Sequence, residues 1–115
     1  MDFYSARLLF VVLVDQARHK KTNTYDESIV VFRARDFQDA FRRALELGRS
    51  REKEYENHKR QRVRWAFKEV VNLDFVGSRV DGKEVASKLF RAQSEEPIEF
   101  EARFLPEKSK PDQSF

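Results

Sequence analysis

The chain carries two histidines, three glycines and no cysteine, and this short inventory bounds the chemistry its sequence can support. Without cysteine there is no thiolate nucleophile, no thiolate metal site and no disulfide scaffold. His19 and His58 lie in polar stretches with no second histidine at ligand spacing, so each reads as a solvated loop residue rather than a metal ligand or general base. Gly48, Gly77 and Gly82 are scattered, which excludes a glycine-rich phosphate loop. Glu95-Glu96 and Glu99-x-Glu101 are paired acids, yet alternation on a strand would put Glu99 and Glu101 on its wet side. The sequence therefore offers no catalytic, cofactor-binding or metal-binding residues, and it reads as a non-enzyme.

What remains is charge, and it is unevenly placed. The formal net charge is only +3. Between Asn57 and Lys68, however, stand Lys59, Arg60, Arg62, Arg64 and Lys68 with no acid, while the stretch from Ala92 onward is acidic. On a strand, Arg60, Arg62 and Arg64 would share one face about 7 Å apart. Arg60, Arg62, Arg64 and Lys68 are accordingly the candidate partner-binding residues. Such a field attracts nucleic acid and acidic protein alike. Trp65 and Phe67 alternate onto the opposite face, so no stacking ring accompanies the cations, and a protein partner is preferred over nucleic acid. Trp65 itself reads as a core anchor.

The elements that must position these residues follow from periodicity. Tyr4 to Val14 and Ser28 to Arg35 are rich in aromatic and β-branched residues, as strands are. Asp36 stands at an N-cap position with Asp39 three residues on, and Phe37, Ala40, Phe41, Ala44 and Leu45 form one apolar stripe. The alternating charges of Arg49 to Glu56 extend this helix to roughly 18 residues, with a weak point at Gly48. Arg62 to Val76 is the clearest strand. Glu69 interrupts its apolar face, as expected of a bulge or strand-end position or of a partner for Arg33 or Arg35. Asp81-Gly82 marks a turn before a fourth strand, Glu84 to Arg91. Pro97 to Leu105 also alternates, with room for a fifth, C-terminal edge strand.

The fold class is thus α+β: a single domain of ββαββ order, an antiparallel four-stranded sheet with one helix on one face. Residues 1–92 form the compact domain, 93–106 the added strand and 107–115 a mobile tail. One helix covers only one face of such a sheet. The opposite face would leave Leu9, Val11 and Leu13 in water unless the C-terminal strand, a second copy or a partner covers them. These three residues are therefore also the candidate self-association face of a homodimer. The longest apolar run, Leu8 to Val14, is seven residues, against the ~18 that a membrane span requires. With no signal-peptide pattern and no cysteine, the expectation is a cytoplasmic protein with no membrane contact.

One resemblance sharpens this reading. Phe3-Tyr4-Ser5-Ala6-Arg7-Leu8-Leu9, a helix ending near Gly48, Glu54-Tyr55-Glu56-Asn57, Val63-Arg64-Trp65-Ala66-Phe67 and Asp81-Gly82-Lys83-Glu84-Val85 occur in that order. Together they resemble a family of small bacterial proteins catalogued as domain of unknown function 4288, over roughly residues 3 to 90. The resemblance implies bacterial origin and a compact α+β fold, and it brings no catalytic residues. The chain departs from it at His58-Lys59-Arg60-Gln61-Arg62, where a glycine-containing turn is expected. The functional expectation is a non-catalytic protein-binding module, such as an immunity or antitoxin-like protein that neutralises a partner. The alternative is a nucleic-acid-associated protein using residues 59–68.

Overall fold

A computed structural model describes residues 1–15, 22–79, 87–92 and 95–114. Strands β1 (Asp2–Val14) and β2 (Asn23–Ala34) precede helix α1 (Phe37–Ser50). Strands β3 (Lys53–Glu56), β4 (Arg62–Gly77), β5 (Ser87–Ala92) and β6 (Asp112–Ser114) follow. The sheet runs β3-β4-β1-β2-β5 with antiparallel neighbours. A short parallel pairing adds β6 to the far end of β4. The four-stranded antiparallel part β2-β1-β4-β3, with one helix, is the expected α+β arrangement. The expected turn at Asp81-Gly82, the start of the fourth strand and His19 lie outside the described residues.

Asp36 caps α1 by accepting a hydrogen bond from the Asp39 N–H at 2.8 Å, the exchange its position dictates. Asp39 accepts from the Arg35 backbone N–H at 3.0 Å and from the Arg42 guanidinium at 2.8 Å, which hold its carboxyl well below the usual range. Ala40, Ala44 and Gly48 form the buried stripe of the helix. A Cβ on Gly48 would lie 2.2 Å from the Phe67 ring, so only glycine lets the helix settle onto β4. There α1 ends. Arg51 N–H bonds back to the Gly48 carbonyl at 3.1 Å, and the chain turns away.

The helix is therefore shorter than the charge alternation predicts, because Lys53–Glu56 pairs with β4 instead. Glu54 stands opposite Arg64 and Glu56 opposite Arg62. The sign alternation that would support i,i+4 pairs on a helix supports cross-strand pairs equally well. The anomaly at Glu69 is resolved by two bulges. Leu9 pairs with Glu69 but Phe10 with Phe67, leaving Lys68 extra; Arg7 pairs with Asn72 but Leu8 with Val70, leaving Val71 extra. Each bulge shifts the side-chain phase by one residue. Val70 rather than Val71 thereby joins Tyr4, Ala6, Leu8, Phe10, Phe32 and Leu73 in the helix-side core. Glu69 pairs with Lys68 at 3.8 Å, not with Arg33 or Arg35.

The second face is covered by the chain itself. Residues 95–105 cross it without forming a strand, and Ile98, Phe100 and Phe104 pack on Val11, Leu13, Tyr25 and Ala66. The segment lies across the sheet rather than along an edge, so no ladder receives it, and Pro97 and Pro106 lack the N–H a ladder would use. The expected mobile tail also returns to the sheet. After a single 3-10 turn at Pro106–Lys108, Ser109 Oγ accepts from the Val70 N–H at 2.9 Å and β6 pairs with Asn72 to Asp74. Between β3 and β6, Glu52 accepts from the Phe67 N–H at 3.0 Å. Side chains thus complete the edge of β4 where strands do not.

Candidate functional site

The four basic residues singled out in the sequence separate in space. Arg60 sits in the Asn57–Gln61 turn with φ of 60°, the left-handed conformation that glycine adopts most readily. It stands where the resemblance expects a glycine turn. The Asn57 side-chain oxygen holds the turn by accepting from the N–H groups of Lys59 and Gln61 at 2.9 and 3.0 Å. Arg62, Arg64 and Lys68 instead lie along the face that residues 95–105 cross, Arg64 and Lys68 half-buried and Arg62 exposed. Arg62 bonds Glu54 at 3.0 Å and stacks 5.1 Å from the Phe100 ring centre. Arg64 donates to the carbonyls of Phe100, at 3.1 Å, and Ala102. Lys68 lies 5.8 Å from the Phe104 ring. Burial, and then the neighbouring charge of Arg103, push the Arg64 pKa down.

The far end of this crossing segment is held by Asn23, which is fully buried. Its amide donates to Glu95 at 3.2 Å and to the Glu96 carbonyl at 3.0 Å, and its oxygen accepts from the Ile98 N–H at 2.8 Å. The Tyr25 hydroxyl donates to Glu95, and burial followed by that bond pushes the phenol up to about 12. Leu9, Val11 and Leu13 are consequently not an open face in the single chain: Val11 and Leu13 are 0% exposed.

Beside this crossing, at the edge of β4, lies a cleft of about 630 Å³. Its walls are the end of α1, the start of β3 and residues 103–107. Trp65 lines it half-buried, a position less enclosed than the core anchor expected. Its Nε1 donates to the Tyr55 hydroxyl at 3.3 Å, and Lys53 Nζ lies 4.2 Å from its ring. The Arg49–Glu107 ion pair closes one end of the cleft. The sequence reading misses this site because its parts come from four separate stretches. The one available signal was the acid–base alternation of residues 53–56 facing that of Arg62 and Arg64. His58 is exposed in its turn, and Glu99 and Glu101 are exposed on the crossing segment. Among the described residues no group of His, Asp and Glu is placed to hold a metal, and no helix is long and apolar enough to cross a membrane.

Residues 3–87 match the family model described as domain of unknown function (DUF4288). The chain belongs to this family. No curated protein and no solved structure shows a significant match to it. The DUF4288 region contains β1 to β4 and α1, and so the whole of the Leu9, Val11 and Leu13 face. The segment that covers that face, and the Phe104 wall of the cleft, lie beyond the region's matched residues.

Proposed function

We propose that this DUF4288 protein is a non-catalytic protein-binding module whose partner docks at the cleft beside Trp65. The observation that carries this reading is the make-up of the cleft mouth. Trp65 is half-buried there, Tyr55 is 45% exposed beside it, and Arg49, Arg64 and Arg103 line the cleft. Tryptophan, tyrosine and arginine are the residues that most often dominate interface energies. Strand β3, which presents Tyr55, has all four residues exposed and forms the outer edge of the sheet, so extended partner backbone can approach it. The charges around the cleft are already bonded to one another, as Arg49 is to Glu107 and Arg62 to Glu54. Such neutralised pairs suit recognition better than proton transfer. Occupying a partner rather than transforming it is the role of an immunity or antitoxin-like protein, and we propose that role in a reducing cytoplasm. The nucleic-acid alternative has less support, because Arg62, Arg64 and Lys68 face the chain's own phenylalanines.

The test is affinity purification of the tagged full chain from cells that carry its gene, beside a Tyr55→Ala variant, which removes an exposed ring and its bond to Trp65 Nε1. A protein retained by the wild type and lost by Tyr55→Ala supports the cleft. Nucleic acid as the sole co-purifying species, or equal retention by both chains, overturns it.

A further inference from the structure

A second groove, about 380 Å³, lies between α1 and β2 on the other side of the helix stripe. Val31 and Leu47, both half-buried, contribute to its floor, and Arg33, Arg43 and Arg51 line it. The three arginines come from three places: β2, the middle of α1 and the residue just past the end of α1. Among the described residues, no acid lines the groove.

These cations are also sparsely engaged with the rest of the described chain. The Arg33 guanidinium stands 4.8 Å from the centre of the Phe3 ring and has no ion pair among the described residues. Arg43 makes one long bond to Glu46, at 3.4 Å. The Arg51 guanidinium has no carboxylate partner among the described residues. Neighbouring arginines differ: Arg35 and Arg42 bond Asp39, and Arg49 bonds Glu107. The negative end of the helix macrodipole accounts for a cation at Arg51. It does not account for Arg33, a strand residue, sharing the same groove.

We infer that this groove is an anion-recognition site that takes an acidic segment of a protein partner, with Arg33, Arg43 and Arg51 pairing its carboxylates. Guanidinium forks bind carboxylates bidentately, and three on one groove, with the long Arg43–Glu46 pair as the ion pair among them, leave a positive field that an external anion would neutralise. The aliphatic floor selects the source. Val31 and Leu47 suit apolar side chains spaced between acids, whereas single-stranded nucleic acid needs rings for its bases. Phe32, the aromatic residue lining the groove, is only 7% exposed. The inference rests on the binding-module reading but not on the Trp65 cleft, so the two can fail separately.

The test is a titration of the isotope-labelled full chain with an alternating Glu-Leu heptapeptide, followed by amide chemical shifts. Parallel arms use the Gln-Leu counterpart, a thymidine decanucleotide and inorganic phosphate. We expect the acidic peptide to shift the amides of Val31, Arg33, Leu47 and Arg51. Its affinity should fall at least tenfold in Arg33→Gln/Arg43→Gln/Arg51→Gln and with the Gln-Leu peptide, and stay unchanged in Tyr55→Ala. Arg51→Gln alone, expected to weaken binding several-fold, serves if the triple variant does not fold. Absence of peptide binding, shifts elsewhere, or equal binding by wild type and the arginine variants overturns the site. Tighter binding of the oligonucleotide, or phosphate binding as tight as that of the peptide, overturns the assignment to an acidic protein segment.

Discussion

Arg62, Arg64 and Lys68 on β4, and Arg33, Arg43 and Arg51 around the α1–β2 groove, are two sets of three cations in opposite situations. The first set lies against the chain's own crossing segment, with Arg64 and Lys68 half-buried and Arg62 exposed at its border. Its members stack on Phe100 and Phe104, and Arg64 is bonded to two carbonyls of the crossing segment. The second set rims an open groove with few internal bonds. A guanidinium taken from water needs its donors answered inside the fold, and the crossing segment answers two of those on Arg64, both on Nη2, while its buried Nε–H has no partner among the described residues. Clustering of charge along a sequence therefore marks where a chain needs cations, whether for a partner or for its own closure. The structure separates the two uses.

This contrast can be broken most strongly at the anchor of the crossing segment. Asn23→Leu removes the buried side chain that accepts from the part-buried Ile98 N–H and donates to Glu95 and Glu96, at an expected cost of about 1–3 kcal/mol in urea denaturation. A cost under about 0.5 kcal/mol would show that the segment is only loosely held. The same anchor has an alkaline signature. The Tyr25 phenol is raised to about 12 in the fold and titrates near 10 when unfolded. Its contribution is therefore complete below about pH 10 and is lost as the pH climbs from there toward 12. In Tyr25→Phe that alkaline fall in stability should flatten; an unchanged alkaline limb would remove the Tyr25–Glu95 bond from the argument.

The next effect belongs to Arg64. Arg64→Met keeps the apolar stem and removes the charge, leaving two carbonyls to find water. The expected loss is about 1–2 kcal/mol, below the usual value for charged hydrogen bonds because a desolvated charge disappears with them. Arg60 separates from its sequence neighbours in the opposite direction. Its left-handed backbone favours glycine, so Arg60→Gly should raise stability by up to about 1 kcal/mol, and a lower melting temperature would contradict that. The smallest effects concern the groove. Arg33→Gln, Arg43→Gln and Arg51→Gln should each change stability by no more than about 0.5 kcal/mol, as exposed sites do. A larger loss at any of them would place that residue among the structural cations instead.

The strands, the Asp36 cap and the helix-side core were legible because each is encoded by local periodicity. Strand β3 was not, because the charges of residues 49–56 satisfy a helix and a hairpin equally. The crossing segment was read as a strand because Ile98, Phe100 and Phe104 have strand spacing, and nothing in spacing says whether an edge or a face awaits them. Glu69 was legible as an anomaly, although the two bulges behind it were not. The basic run of β4 was visible because its cations are contiguous. The groove was invisible because Arg33, Arg43 and Arg51 become neighbours only after α1 folds back on β2.

Coverage of the second face by residues 98–104 also sets an order of events during synthesis. Leu9, Val11 and Leu13 leave the ribosome first, and the phenylalanines that shelter them follow some ninety residues later. At about 5–20 residues per second, that face stays wet for roughly five to twenty seconds in every nascent chain. Asn23 likewise waits for Ile98, 75 positions away. Contacts so distant in sequence form late and slowly. A premature stop between Ala92 and Ile98 would thus release a chain whose β1–β5 sheet is built and whose second face lacks the residues that close it. Such a chain is a natural substrate for chaperones and proteases.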